Sequence, residues 1–73
     1  MRNTLIAAGN SADTTLVPLI RDCLDNQAAL VRATAVWALS QLMEPRAWTT
    51  LKHRYLPTER DETVREEWIF GRG

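Results

Sequence analysis

Two stretches of this chain carry residue types that could meet a polyanion. Arg46, Lys52, His53 and Arg54 make a basic segment, and Tyr55 follows directly. Lysine and arginine contact phosphates without regard to sequence, and an aromatic ring can stack on an unpaired base. Lys52 and Arg54 are two apart, about 200° around a helix axis, so both cannot point straight at one phosphate. The segment is therefore either a nucleic-acid surface or a solvated helix face. Tyr55 also fits the apolar stripe that holds Leu51, which directs it to the core. Arg2 and Asn3 are the second stretch, as contacts to RNA or to a partner. Arg32 has two readings. One is structural: a hydrogen bond or ion pair to Asp25, or to loop carbonyls of a neighbouring repeat. The other is a phosphate contact.

Other chemistry finds little support. His53 has no Cys, Asp or second His at metal-ligand spacing. No nucleophile, base and orienting group form a set. Cys23 is the single cysteine, so no disulfide forms within the chain, which fits a reducing cytoplasm. In register with Leu16, Leu19 and Ile20, it reads as a buried structural thiol. An iron–sulfur cluster needs about four thiolates. Neither iron, cobalamin nor zinc is expected on these residues.

Nine basic and nine acidic residues cancel, unlike a dedicated, strongly basic nucleic-acid domain. The balance is uneven along the chain. After the basic segment come Glu59, Asp61, Glu62, Glu66 and Glu67, against Arg60 and Arg65. No apolar run approaches the roughly 20 residues of a membrane span, and no signal peptide is visible. A hydrophobic fraction of 45% over 73 residues argues for one small ordered domain.

The elements that must position these residues are helices. Residues 3–8 read as a helix end, with Gly9-Asn10 as its stop. Leu16, Leu19, Ile20, Cys23 and Leu24 form one apolar stripe. Pro18 favours a start near Thr14 or Thr15; with Asp13 as cap, a hydrogen bond would be lost. Residues 28–43 form the longest helix. Ala28, Val31, Ala35, Ala38 and Leu42 line one side, and Leu30, Ala33 and Trp37 another, as in a helix between two neighbours. Pro45 opens the next helix, with Ala47, Trp48, Leu51 and Tyr55 inward and Pro57 at its end. Asp61 or Thr58 caps the last, with Val64, Trp68 and Ile69 inward. Gly71-Arg72-Gly73 reads as a frayed tail.

The pattern repeats. Arg2-Asn3-Thr4-Leu5-Ile6-Ala7-Ala8-Gly9-Asn10 aligns with Arg32-Ala33-Thr34-Ala35-Val36-Trp37-Ala38-Leu39-Ser40, thirty residues on. Val64-Arg65 matches Val31-Arg32 at an offset of 33. Such a period with helical patterning indicates a solenoid, whose units bury their apolar faces only by stacking. The expected fold is all-α: a short right-handed α-α superhelix of about five helices, the first truncated. Residues 1–10 are a half-repeat, 11–43 a repeat and 44–73 a terminal repeat. The expectation is a C-terminal piece of a longer protein.

Asp25 and then Leu30-Val31-Arg32-Ala33-Thr34-Ala35-Val36-Trp37-Ala38-Leu39 resembles the second helix of a HEAT repeat of the short, lyase-like type. Arg2-Asn3-Thr4-Leu5-Ile6-Ala7-Ala8-Gly9-Asn10-Ser11, Val31-Arg32, Trp37-Ala38-Leu39 and Val64-Arg65-Glu66-Glu67-Trp68 together resemble the C-terminal region of epoxyqueuosine reductases. In that family the preceding catalytic part binds cobalamin and two 4Fe–4S clusters and reduces epoxyqueuosine in the tRNA anticodon to queuosine. Its HEAT-like helices help to hold the tRNA. The resemblance implies tRNA and an upstream domain of the same protein as partners, a cytoplasmic setting, and no membrane. It also implies that 4Fe–4S clusters and cobalamin belong to the parent rather than to this piece. Two departures stand out: Ala8 occupies a usual Leu position, and the motif Cys-x-x-Cys-x-x-Cys-x-x-x-Cys-Pro is absent.

Overall fold

Five α-helices and three short 3-10 turns make up the computed structural model. It describes residues 2–71, Arg2 by its backbone alone. Met1, the Arg2 side chain and Arg72-Gly73 of the expected frayed tail lie outside the described residues. The helices are α1 (Arg2–Asn10), α2 (Val17–Asp22), α3 (Ala29–Leu42), α4 (Pro45–Tyr55) and α5 (Glu62–Phe70). No strand occurs among the described residues. α1, α3 and α5 pack side by side as an inner layer, and α2 and α4 cover α3 as an outer one. This is a short α-α superhelix of stacked helical repeats.

Local signals set most boundaries. Asp13 Oδ1 accepts the Thr15 N–H at 3.0 Å and its hydroxyl at 2.6 Å. Asp13 thus caps the 3-10 turn Thr14–Leu16, and α2 starts only at Val17. Pro18 stays in the first turn of α2, where its missing N–H costs nothing. The helical run thus opens at Thr14, where the sequence placed its start, but as a 3-10 turn that becomes α-helix only at Val17; the penalty attached to an Asp13 cap does not arise. Pro45 opens α4, and Asp61 caps α5 through the N–H groups of Thr63 and Val64.

Gly9 corrects the sequence reading. α1 does end at Asn10, but Gly9 lies buried within its last turn rather than serving as its cap. A Cβ there would stand 2.6 Å from Trp37 Cζ3 and 3.1 Å from Ala38 Cα. Glycine lets α1 approach α3 closely. The chain turns later, at Ala12, whose φ of 58° is left-handed. Gly71 continues the last turn of α5, donating to the Glu67 carbonyl at 2.8 Å.

The core holds Ala35, Val36, Ala38 and Leu39 from α3, with Leu5, Ile20, Leu24, Trp48, Leu51, Val64 and Trp68 around them. α3 is buried over most of its circumference because it lies between two inner-layer neighbours and under two outer helices. Trp48 and Trp68 meet at 5.2 Å between ring centroids, and Tyr55 stacks on Trp68 at 6.1 Å. The Trp48 indole N–H donates to the Val36 carbonyl at 3.2 Å. Several stripe members lie elsewhere than expected. Leu19, Ala28, Leu30, Ala47 and Ile69 are exposed, and Cys23 is half-buried, its thiol 3.7 Å from the Leu19 carbonyl.

Candidate functional site

The basic segment lies on α4, in the outer layer. Arg46, His53 and Arg54 are exposed, and Lys52 is half-buried. Arg46 and His53 are seven residues apart, so they share one side of the helix. α4 contains no Asp or Glu, and no ion pair reaches Arg46, Lys52 or Arg54 among the described residues. Thr49 and Thr50 donate back to the carbonyls of Pro45 and Arg46, leaving the cations as the polar feature of this face. Tyr55 is engaged with Trp68 and does not offer an open ring.

Arg32 is held structurally. Its Nη1 donates to the carbonyls of Asn26 (2.8 Å) and Gln27 (2.9 Å). Nε and Nη2 grip the Glu59 carboxylate at 2.9 and 3.1 Å. The paired acid is Glu59 of the next repeat; Asp25 is exposed at the end of a 3-10 turn and is not its partner. Arg65 repeats the arrangement, with Nη1 on the carbonyls of Leu56 and Glu59. The loops before α3 and α5 match too: Asn26 Oδ1 accepts the Ala28 N–H, and Glu59 Oε2 accepts the Asp61 N–H. All three pairs of positions are 33 residues apart. Sequence reasoning missed Asn26 and Glu59, although the offset of Arg32 and Arg65 carries their positions. Burial pushes the Glu59 carboxyl upward; the hydrogen bonds from Arg32 and Asp61 and the guanidinium charge outweigh it, so the carboxyl lies below its ordinary value.

The remaining candidates are dispersed. Asn3 is exposed on α1, in the inner layer, whereas the basic segment lies on α4 in the outer one. Trp37 is half-buried at the α1–α3 contact, not a fully buried core residue.

Two grooves were not anticipated. One, of about 360 Å³, crosses the inner layer and is lined by Ile6, Leu30, Ala33, Thr34, Trp37, Thr63 and Glu67. The other, of about 540 Å³, runs between α1 and α2 past Leu5, Ala8, Leu16, Leu19, Ile20 and Cys23. The signal for the first was present as Leu30 and Trp37 on one stripe of α3, with Thr63 and Glu67 four apart on α5.

The donor set does not fit an iron–sulfur centre. Cys23 is the single thiol, and no group of three His, Cys, Asp or Glu among the described residues could hold a metal ion. No helix among them is long and apolar enough to cross a membrane.

A family model described as HEAT repeats matches residues 2–70. No curated protein and no solved structure matches the chain.

Proposed function

The chain belongs to the HEAT-repeat family, and from that premise we propose that it is the tRNA-holding HEAT module of an epoxyqueuosine reductase. As a HEAT-repeat unit it is a repeat or scaffold module; the tRNA role is the finer reading. The observation that carries it is the composition of α4, which bears three cations, one histidine and no acid around its surface. The Arg-Asn…Gly-Asn-Ser and Val-Arg motifs supply the enzyme family. In this reading the upstream domain of the same protein covers the apolar α1–α2 groove. That domain holds the 4Fe–4S clusters and cobalamin, and this chain contributes position rather than redox chemistry. Residues 1–10, 11–43 and 44–73 then serve as a half-repeat, a repeat and a terminal repeat, in the cytoplasm. Asn3, exposed on α1, is a candidate contact to RNA or to the upstream domain in this reading, and the sequence offers Arg2 beside it.

The test is fluorescence anisotropy of labelled tRNA with the chain at low and moderate salt. Two or three phosphate contacts predict weak binding that falls by roughly tenfold to fortyfold between about 50 and 200 mM salt. Replacing Arg46, Lys52 and Arg54 together by alanine removes most of the binding and leaves far-UV circular dichroism unchanged. Absence of binding at low salt, or unchanged affinity in that variant, would overturn the reading. A protein-docking scaffold is the second reading, favoured by the apolar groove on the inner layer.

A further inference from the structure

The free side of α4 carries hydroxyls as well as cations. Arg46, Thr49, Thr50 and His53 stand at i, i+3, i+4 and i+7, so they share one side of the helix, and all four are exposed. Arg54 follows Thr50 by four residues and is exposed beside them. From Arg46 to Arg54 the helix axis rises about 12 Å. Acids bound this surface at both ends. Glu44 is exposed at the N-cap of α4, and Asp22 and Asp25 line a cleft with Arg21 and Tyr55 at the other end. The contact it can make with a polyanion is therefore short.

The two threonines have a fixed polarity. Thr49 Oγ1 donates to the Pro45 carbonyl at 2.8 Å, and Thr50 Oγ1 donates to the Arg46 carbonyl at 3.1 Å. Each hydroxyl has one proton, and the helix already holds it. Toward solvent both oxygens only accept. A phosphate offers no donor in return, so meeting one would break the intrahelical bond. A ribose does offer one, the 2′-hydroxyl that deoxyribose lacks.

The same side of α4 presents no stacking surface. Trp48 is buried with its indole N–H on the Val36 carbonyl, and Tyr55 is stacked on Trp68. The other outer helix, α2, has no aromatic residue. The exposed ring of Phe70 belongs to α5 in the inner layer. Unpaired RNA is bound by stacking its bases on aromatic rings. Double-stranded RNA is met through its phosphates and through the 2′-hydroxyls of its wide, shallow minor groove.

We propose that α4 lies along the minor groove of double-stranded A-form RNA. Thr49 and Thr50 accept hydrogen bonds from 2′-hydroxyls, and Arg46, His53 and Arg54 donate to the flanking phosphates. The inference rests on the tRNA reading and narrows it: the part of the tRNA that this helix holds is a base-paired stem, recognised as RNA and by shape rather than by base sequence.

Fluorescence anisotropy at low salt tests it with three labelled probes: an RNA duplex of about 16 base pairs, a DNA duplex of the same sequence, and an unpaired oligouridine of the same length. The RNA duplex is expected to bind about threefold to tenfold more tightly than either of the others, the effect of one or two neutral hydrogen bonds. Thr49→Val with Thr50→Val keeps the side-chain shape at two exposed positions and should bring the affinity for the RNA duplex down to that for the DNA duplex. Arg46→Ala should weaken both duplexes by the same factor. Circular dichroism checks that each variant keeps its fold. Equal affinity of the unaltered chain for the two duplexes would overturn the proposal and leave the tRNA reading in place. So would tighter binding of the unpaired strand, or a folded double threonine variant that keeps its preference for RNA. Absence of binding to all three probes would overturn both.

Discussion

Glu59 holds Arg32 by two parallel hydrogen bonds across 27 residues of sequence, Nε to Oε1 at 2.9 Å and Nη2 to Oε2 at 3.1 Å. The same Glu59 offers its carbonyl to Arg65 at 3.0 Å. One residue thus ties the loop before α5 to α3 and to its own helix. Planar guanidinium donors match a carboxylate at both oxygens, which makes such pairs stronger than single-point ones.

Glu59→Gln should cost about 1.5–3 kcal/mol, because it weakens the charge-assisted bonds and leaves Arg32 without its anion. Arg32→Ala should cost a similar amount, and the double variant less than the sum. Urea denaturation of the four proteins measures the coupling. Additive effects would mean that the pair contributes nothing beyond its loop contacts.

The same pair predicts an acid limb. The folded Glu59 carboxyl lies below its ordinary value of 4.5. Its contribution is therefore complete above that value, where both states are ionised. It fades as pH falls through the lower, folded value, because the unfolded chain takes up the proton first. Stability measured against pH should drop below about pH 4.5, and Glu59→Gln should flatten that drop.

Gly9→Ala should destabilise by roughly 1–3 kcal/mol, although alanine favours helix, because the new methyl meets Trp37 and the Ala38 backbone. Trimming the ring with Trp37→Leu should recover part of the loss. A Gly9→Ala protein that melts above the parent would show that α1 can move away from α3 without cost.

The tryptophans should separate by burial. Trp68, 1% exposed and packed on Trp48 and Tyr55, should cost about 3–5 kcal/mol as alanine, enough to unfold a domain of this size. Trp37→Ala should cost less, about 1–3 kcal/mol, since the ring is only half-buried. Thermal melts followed by circular dichroism compare them.

Ala12→Gly should stabilise the chain by about 1 kcal/mol, raising Tm by about 4–8 °C. The φ of 58° at Ala12 is a left-handed conformation that glycine adopts without penalty. An unchanged or lower Tm would contradict this.

The sequence by itself determined the helices, their order and the repeat. Pro45 at the start of α4, Asp61 before α5 and the two-sided apolar pattern of α3 act within a few residues, so they are readable without neighbours. The position of the basic segment on one helix was equally legible. Tertiary structure alone decided what each face meets. Arg32 reached forward to Glu59 rather than back to Asp25, because stacking brings the next repeat's loop to its guanidinium. Gly9 became a contact rather than a stop, because α1 lies against Trp37. Leu19 and Leu30 fell outside the core although their spacing matched it. A stripe states which residues share a side of a helix; only the packing of α1, α3 and α5 sets how much of that side is covered.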